Sequence, residues 1–260
     1  MAYVSLLGHR TWVKVPRPGP TVLLLHGGMS SSASMLRSLA PRIKKDFRIA
    51  AFDRRGHGRT PDTDEPFHYE TMADETIAFI EHLGRPVYLV GHSDGGNVAL
   101  YVTLRRPDLV RKAVVIGANY HYDGLMELDH MTRPSPEFDL WAMKYAESSP
   151  DGIEHAPVVY DKTLAMFASE PTLTRADLGE ISRPTLVLAG DDDVATLEHT
   201  CSMYEAIPGA QLAIVPGASH ALLKERPKES ARLIRRFLLE DSSPETLAPV
   251  RRARREGVGD

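Results

Sequence analysis

At 260 residues the chain has the length of one large α/β domain carrying an insertion, not of several domains. A formal net charge of −4, from 31 basic and 35 acidic residues, offers no electrostatic footprint for nucleic acid. The single cysteine, Cys201, excludes an internal disulfide and fits a reducing compartment.

Residues 4–7 are too short for the apolar region of a signal peptide and are soon followed by His9, Arg10 and Lys14. No stretch approaches the length of a membrane span, so a cytoplasmic protein without a membrane partner is expected. Residues 4–7 and 11–15 read as an opening hairpin with Gly8-His9-Arg10 as its turn. The unbroken apolar run 21–25 predicts a strand covered on both faces. A helix over 34–44 and a strand over 48–53 follow. A helix over 69–83, with Met72, Ile77, Ile80 and Leu83 on one face, is stopped by Gly84 before Pro86. A strand at 87–90, a helix through Arg106 and a strand at 113–116 come next. Two further strands, 185–189 and 211–215, bracket a helix beginning near Leu197. The last helix spans about 227–239, with Leu233, Ile234, Phe237 and Leu238 as its buried stripe.

Strands alternating with helices imply a mostly parallel sheet with helices on both faces, where ligands bind beyond the carboxyl ends of the strands. Residues 1–117 and 183–240 make up this core. Residues 118–182 lack a strand pattern and read as a small helical cap, with helices near 139–147 and 159–168, able to exclude water and shape a pocket. The tail, 241–260, carries Arg251, Arg252, Arg254 and Arg255 without apolar periodicity and reads as solvated chain.

The chemistry concentrates at strand ends. Gly91-His92-Ser93-Asp94-Gly95 lies between an apolar strand and an apolar helix. In that context Gly-x-Ser-x-Gly predicts a strained strand-to-helix turn with positive φ at Ser93, which lifts the hydroxyl out of the helix. Gly91 and Gly95 remove the Cβ atoms that would collide across it. Serine needs a base to take its proton, and the base needs a group to orient it. The strand ending in Gly190-Asp191-Asp192-Asp193 supplies the acid, and three carboxylates compete for the role, with Asp191 suited to stiffening the turn and Asp192 to solvent. His220, in Val-Pro-Gly-Ala-Ser-His after strand 211–215, follows in order as the base, and His92 is expected to point away. Two N–H donors must face the oxyanion. One is Asp94; the other is Gly28 or Met29, in the glycine-rich loop after strand 21–25. His26 is expected to stitch that loop. The loop lacks Walker spacing and a following lysine, so it is no phosphate cradle.

With these blocks the chain resembles the α/β-hydrolase superfamily from about residue 3 to 240. His26-Gly27-Gly28, the elbow, Asp53-Arg54-Arg55-Gly56-His57-Gly58-Arg59-Thr60 and Gly217-Ala218-Ser219-His220 all match recurring motifs. Asp94 after the serine, and Val115-Ile116-Gly117-Ala118-Asn119-Tyr120, are similar to the valacyclovir hydrolase (biphenyl-hydrolase-like) branch. That resemblance implies an aspartate placed to hold the α-amino group of an amino-acid ester; otherwise Asp94 lends only its N–H. In related chains the acid sits three residues after the turn glycine, which implies Asp193 here, although Val194-Ala195-Thr196 departs from the Val-Pro-type turn frequent after the acid.

The reading is a serine hydrolase cleaving a carboxylic ester, thioester or activated amide of a small molecule. Acyl transfer, cyclisation and C–C hydrolysis use the same triad, and a binding protein that does not turn over is the alternative from another class. Tyr120 and Trp141, with Tyr122, Met126 and Met143, line a substrate pocket or form cap core. His121 and Asp123 near His130 lack the spacing of a known metal site. No metal or organic cofactor is expected, and an exposed cap face would suit a homodimer.

Overall fold

The computed structural model describes residues 2–126 and 131–240, with Leu247, Ala248 and Val250 beyond them. The arginine-rich tail expected to be solvated, and His130, lie outside the described residues. The strands are β1 (Ala2–Leu6), β2 (His9–Lys14), β3 (Thr21–Leu25), β4 (Arg48–Phe52), β5 (Val87–His92), β6 (Val110–Ile116), β7 (Thr185–Asp192) and β8 (Gln211–Ser219). They form one sheet in the order β1-β2-β4-β3-β5-β6-β7-β8. β1 and β2 pair antiparallel, as do β2 and β4. Every other neighbouring pair is parallel.

Strand periodicity of two divides the core. Leu23, Leu25, Leu89, Ala113, Val115 and Val187 face one side, where Met72 and Phe79 of α3 (Tyr69–Leu83) and Val98 and Val102 of α4 (Asp94–Arg105) cover them. Val22, Leu24, Val90, Val114, Ile116, Leu186 and Leu188 face the other side. There Met35 of α1 (Ser32–Ser38), Ile43 of α2 (Ala40–Ile43) and Ile234 and Phe237 of α10 (Pro227–Leu239) close over them. Two covered faces explain why these strands read as continuous apolar runs. Among the described residues no helix is long and apolar enough to cross a membrane.

Several boundaries differ from expectation for local reasons. The opening turn is Leu7-Gly8, at φ 50° and 82°, and β2 starts at His9, paired with Leu6. Two consecutive positive φ values match the twist of flanking strands, so Gly8-His9-Arg10 is not the turn. The helix expected over 34–44 is two helices. Pro41 has no N–H for the Arg37 carbonyl, and a second helix begins at Ala40 with the proline in its first turn. β7 and β8 run past their apolar stretches to Asp192 and Ser219, with an irregular register near Gly190.

The described residues between β6 and β7 contain no strand, only isolated bridges from His121 to Thr172 and from Leu125 to Ala195. Their helices are α5 (Pro136–Ala146), α6 (Ala156–Phe167) and α7 (Arg175–Gly179). The first two start three residues before the expected positions. Ser135 caps α5 by accepting from the Phe138 N–H, and Pro136 and Pro157 sit in the first turns.

This β6–β7 segment is tied to the core by buried polar contacts. Asp62, in the loop after β4, accepts from Lys162 Nζ at 2.8 Å and from His155 Nε2 at 2.9 Å, and its side chain is 1% exposed. Its own N–H donates to Asp151. At the far end, Glu170 accepts from the Tyr69 N–H and from His68, at the start of α3. Removing the Asp62 carboxylate leaves the Lys162 ammonium and the His155 ring without their acceptor at a buried position. Asp62→Ala should therefore cost about 2–3 kcal/mol. Asp161→Ala, which breaks the solvent-exposed pair with Arg133, should cost less than about 1 kcal/mol. Urea unfolding of both variants checks this, and equal losses would refute an anchoring role for Asp62.

Candidate active site

Ser93 sits between β5 and α4 at φ 55° and ψ −126°, a region that side-chain-bearing residues adopt only under constraint. The constraint is visible in the glycines. A Cβ on Gly91 would lie 1.9 Å from the Gly95 carbonyl oxygen, and one on Gly95 would lie 2.2 Å from that of Leu25. Both obstacles are backbone and have nowhere to go. Hydrogen bonds from the Ser93 N–H to Ile116 and from the Gly96 and Asn97 N–H groups to the Ser93 carbonyl hold the turn.

His220 follows β8, and its Nδ1 lies 2.6 Å from Asp193 Oδ1. A carboxylate only accepts, so Nδ1 carries a proton, and in the neutral ring it is Nε2 that offers the lone pair. The Asp193 side chain is fully buried, and its second oxygen accepts from the Gly190 N–H. Burial alone would raise its pKa, but the His220 contact and that N–H hold it below the usual carboxylate range. Asp191 stiffens the strand ends instead: its Oδ1 accepts from the Ala218 N–H of β8. Asp192 is exposed.

His92 does not simply point away. Its ring lies 4.8 Å from that of His220, and its Nε2 donates to the His220 carbonyl at 2.8 Å. The residue before Ser93 thus holds the backbone of His220 beside the elbow. Burial, and then the proximity of His220, lowers the His92 pKa to about 4, so it stays neutral and keeps this donor role.

The loop after β3 is held from below. His26 is fully buried; its Nε2 accepts from the Arg54 N–H and its Nδ1 donates to the Gly27 carbonyl. Arg54, also fully buried, donates to the carbonyls of His26 at 2.6 Å and Gly27 at 3.3 Å. Met29 has φ 50°, and a Cβ on Gly27 would come 3.0 Å from that of Ser93. Both candidate donors, Gly28 and Met29, therefore lie on the loop that passes closest to the serine.

Asp94 is only 3% exposed. Tyr69 donates to its Oδ1 at 3.1 Å, while its Oδ2 is buried with no hydrogen-bond partner. A Cβ on Gly28 would lie 2.4 Å from that oxygen and 2.9 Å from the Phe167 ring of α6. The unpartnered oxygen thus lies beside Gly28, close to the Phe167 ring of the β6–β7 segment. Burial raises the Asp94 pKa against the opposing pull of Arg54 and Tyr69.

The remaining candidates are placed more plainly. Tyr120 stacks on His199 at 4.0 Å and shares a hydrogen bond with Ser202 at 2.9 Å, packing on α8 (Leu197–Ala206). Trp141 donates its indole N–H to the Met29 carbonyl at 2.8 Å. Tyr122, Met126 and Met143 are exposed. His121 pairs locally with Asp123, and among the described residues no group of three or more His, Cys, Asp or Glu side chains could hold a metal. The departure at Val194-Ala195-Thr196 has its own use: the Thr196 hydroxyl caps α8 by accepting from the His199 N–H.

The model of the alpha/beta hydrolase family matches residues 22–233. The chain belongs to that family. Membership makes it a hydrolase. In line with the resemblance carried by Ser93-Asp94-Gly95-Gly96, it is 28% identical over 252 residues to the serine hydrolase BPHL of Mus musculus, covering 88% of this chain and 83% of the relative. It is 29% identical over 260 residues to the bifunctional esterase/perhydrolase DCH of Acinetobacter calcoaceticus, covering 86% and 92%. A meta-cleavage product hydrolase from Pseudomonas fluorescens shares the fold at a TM-score of 0.75 and 22% identity, covering 93% of this hydrolase and 98% of that chain.

Sequence reasoning did not find the partnerships of Arg54, Tyr69 and Trp141. Arg54 lay inside a recognised block, but its guanidinium reaches back 28 positions to His26, and no local pattern announces that.

Burial also leaves a pH signature. His57, His92 and His199 are held neutral by burial, each with a pKa of about 4. In the unfolded chain each takes up a proton near about pH 6.5. Between these values the unfolded state binds more protons, so folding stability falls as pH drops. Each of the three histidines adds to that fall in the same direction. Urea midpoints should hold steady above pH 7 and fall steeply from pH 6 to 4.5; midpoints flat across that range would contradict neutral burial.

Proposed function

We propose that this hydrolase cleaves the carboxylic ester of a small molecule through an acyl-enzyme on Ser93. The observation that carries the reading is the short hydrogen bond from His220 Nδ1 to buried Asp193, which leaves the opposite nitrogen free to act as a base. His220 Nε2 takes the Ser93 proton as Oγ attacks the acyl carbon, and the carbonyl oxygen becomes the oxyanion. The N–H of Asp94 and one N–H of the Gly28-Met29 loop stabilise that charge, each worth about 10²–10³ in rate. Protonated His220 then gives its proton to the leaving alkoxide. Water, deprotonated by the same nitrogen, releases the acid. Asp193 stays ionised throughout, orients the imidazole and stabilises its cation. The printed names of the esterase/perhydrolase and serine hydrolase relatives support acyl chemistry at such a serine. The β6–β7 segment acts as the lid that excludes water.

p-Nitrophenyl acetate, butyrate and octanoate report turnover directly. Ser93→Ala should lower kcat/KM by at least about 10³-fold and Asp193→Asn by about 10⁴-fold, with folding intact. If Ser93→Ala matched the wild type on every ester, acyl-enzyme chemistry at this serine would be wrong.

A narrower substrate class is favoured by the unpartnered Oδ2 of Asp94. An acyl group with an α-ammonium would place a charged donor near the acyl carbon, beside the elbow, where that oxygen lacks one. Such a charge-assisted bond is worth about 1.5–3 kcal/mol. Asp94→Asn keeps the backbone N–H and the side-chain volume. It should cut kcat/KM for an α-aminoacyl ester about 10- to 100-fold while changing the acetate ester less than about threefold. Equal losses on both esters would assign Asp94 to support of the loop alone.

A further inference from the structure

Three carbonyls of the loop after β3 are each held by a side chain from elsewhere. Arg54 holds those of His26 and Gly27 from within the core. The third, on Met29, is held by Trp141 Nε1 at 2.8 Å, and Trp141 belongs to α5 of the β6–β7 segment. Met29 is also one of only three non-glycine residues with positive φ among the described residues, with Leu7 in the hairpin turn and Ser93 at the elbow. A side-chain-bearing residue keeps that backbone conformation only where its surroundings hold it. The loop therefore has a floor held by Arg54 and a second clamp supplied by the β6–β7 segment.

We infer that Trp141 is a positioning residue for the oxyanion: its indole N–H fixes the Met29 carbonyl and so aims the N–H groups of the Gly28-Met29 loop. This rests on the ester-hydrolase reading above. Trp141 itself is held by aromatic neighbours, with ring centroids 5.3 Å from both Tyr145 and Tyr160 and 6.1 Å from Phe138. The rings of that cluster fix its depth, and the single polar atom is left to meet the loop. The segment carrying it is anchored independently at Asp62 and at Glu170, so the indole is delivered to a defined place.

The test separates positioning from pocket lining. Trp141→Phe keeps the ring cluster and deletes the N–H; benzothienylalanine at the same position keeps the bicyclic shape and also lacks the donor. With p-nitrophenyl acetate, butyrate and octanoate, both variants should lower kcat about tenfold, alike for all three chain lengths, with KM within about twofold. Affinity for butylboronic acid, which forms a tetrahedral adduct on the serine, should fall by the same factor as kcat. An unchanged kcat in the benzothienylalanine protein, or a loss that appears in KM and grows with acyl length, would overturn the inference. Ser93→Ala is assayed alongside. If it retained full activity the functional reading itself would fail, whereas Ser93-dependent turnover indifferent to Trp141 would sink only the positioning role.

Discussion

A tight approach of backbone to backbone at the elbow is the constraint on which the site depends. Gly91 and Gly95 leave no room for a methyl group between strand and helix, and Ser93 occupies a backbone conformation it would not choose alone. Such strain costs on the order of 1–3 kcal/mol. It is tolerated because β5 lies inside the sheet, paired with β3 and β6, and α4 is buried along most of its length. Neither element can shift to relax the turn without opening apolar core on one face of the sheet. The sheet thus does more than carry the serine: its packing on both sides supplies the force that keeps the hydroxyl presented.

Around that turn the polar groups are arranged so that buried charge is opposed without being directly paired. Arg54 spends its hydrogen bonds on loop carbonyls, while Asp94 accepts from Tyr69. The two act on one another only through space, each pulling the other toward its charged form. In a medium of low effective dielectric that attraction is substantial even without contact. The arrangement leaves Asp94 with one uncommitted oxygen beside the loop, as a direct Arg54–Asp94 pair would not. The buried histidines contribute differently. His26 and His92 act as neutral imidazoles whose protons are fixed by the groups they meet, so they serve as rigid spacers and not as bases.

What the sequence made legible follows the same physics. The parallel sheet and the elbow rest on short-range rules: an apolar run covered on two faces, glycines where a Cβ would collide, turn chemistry after a strand. The helices Tyr69–Leu83 and Pro227–Leu239 were readable to the residue because Gly84 and Pro227 punctuate them. The hairpin turn was misplaced because Leu7 at positive φ breaks the expectation that glycine alone takes such positions. Pro41 split a helix whose apolar spacing continues across the break. Tyr120 and Trp141 were visible as aromatic residues of the segment, but periodicity does not say which polar atom a ring will spend, or on what.

Those unreadable partnerships share a feature: each joins residues far apart in sequence through a single directional bond. Trp141 reaches Met29 across 112 positions, His92 reaches His220 across 128, and Lys162 reaches Asp62 across 100. Apolar burial is non-directional and tolerates many partners, so its pattern survives in the sequence as periodicity. A hydrogen bond fixes one donor to one acceptor at one angle, and leaves no local trace. Family folds can therefore be recognised from apolar rhythm and a few glycines, while their specificities rest on contacts of the second kind. In this hydrolase the β6–β7 segment shares apolar core with the sheet, through Ala142, Val159 and Met166 among others, and adds directional bonds at Met29, Asp62 and Tyr69. Apolar packing holds the segment against the core, and the directional bonds set which groups it meets there, the loop that faces the serine among them.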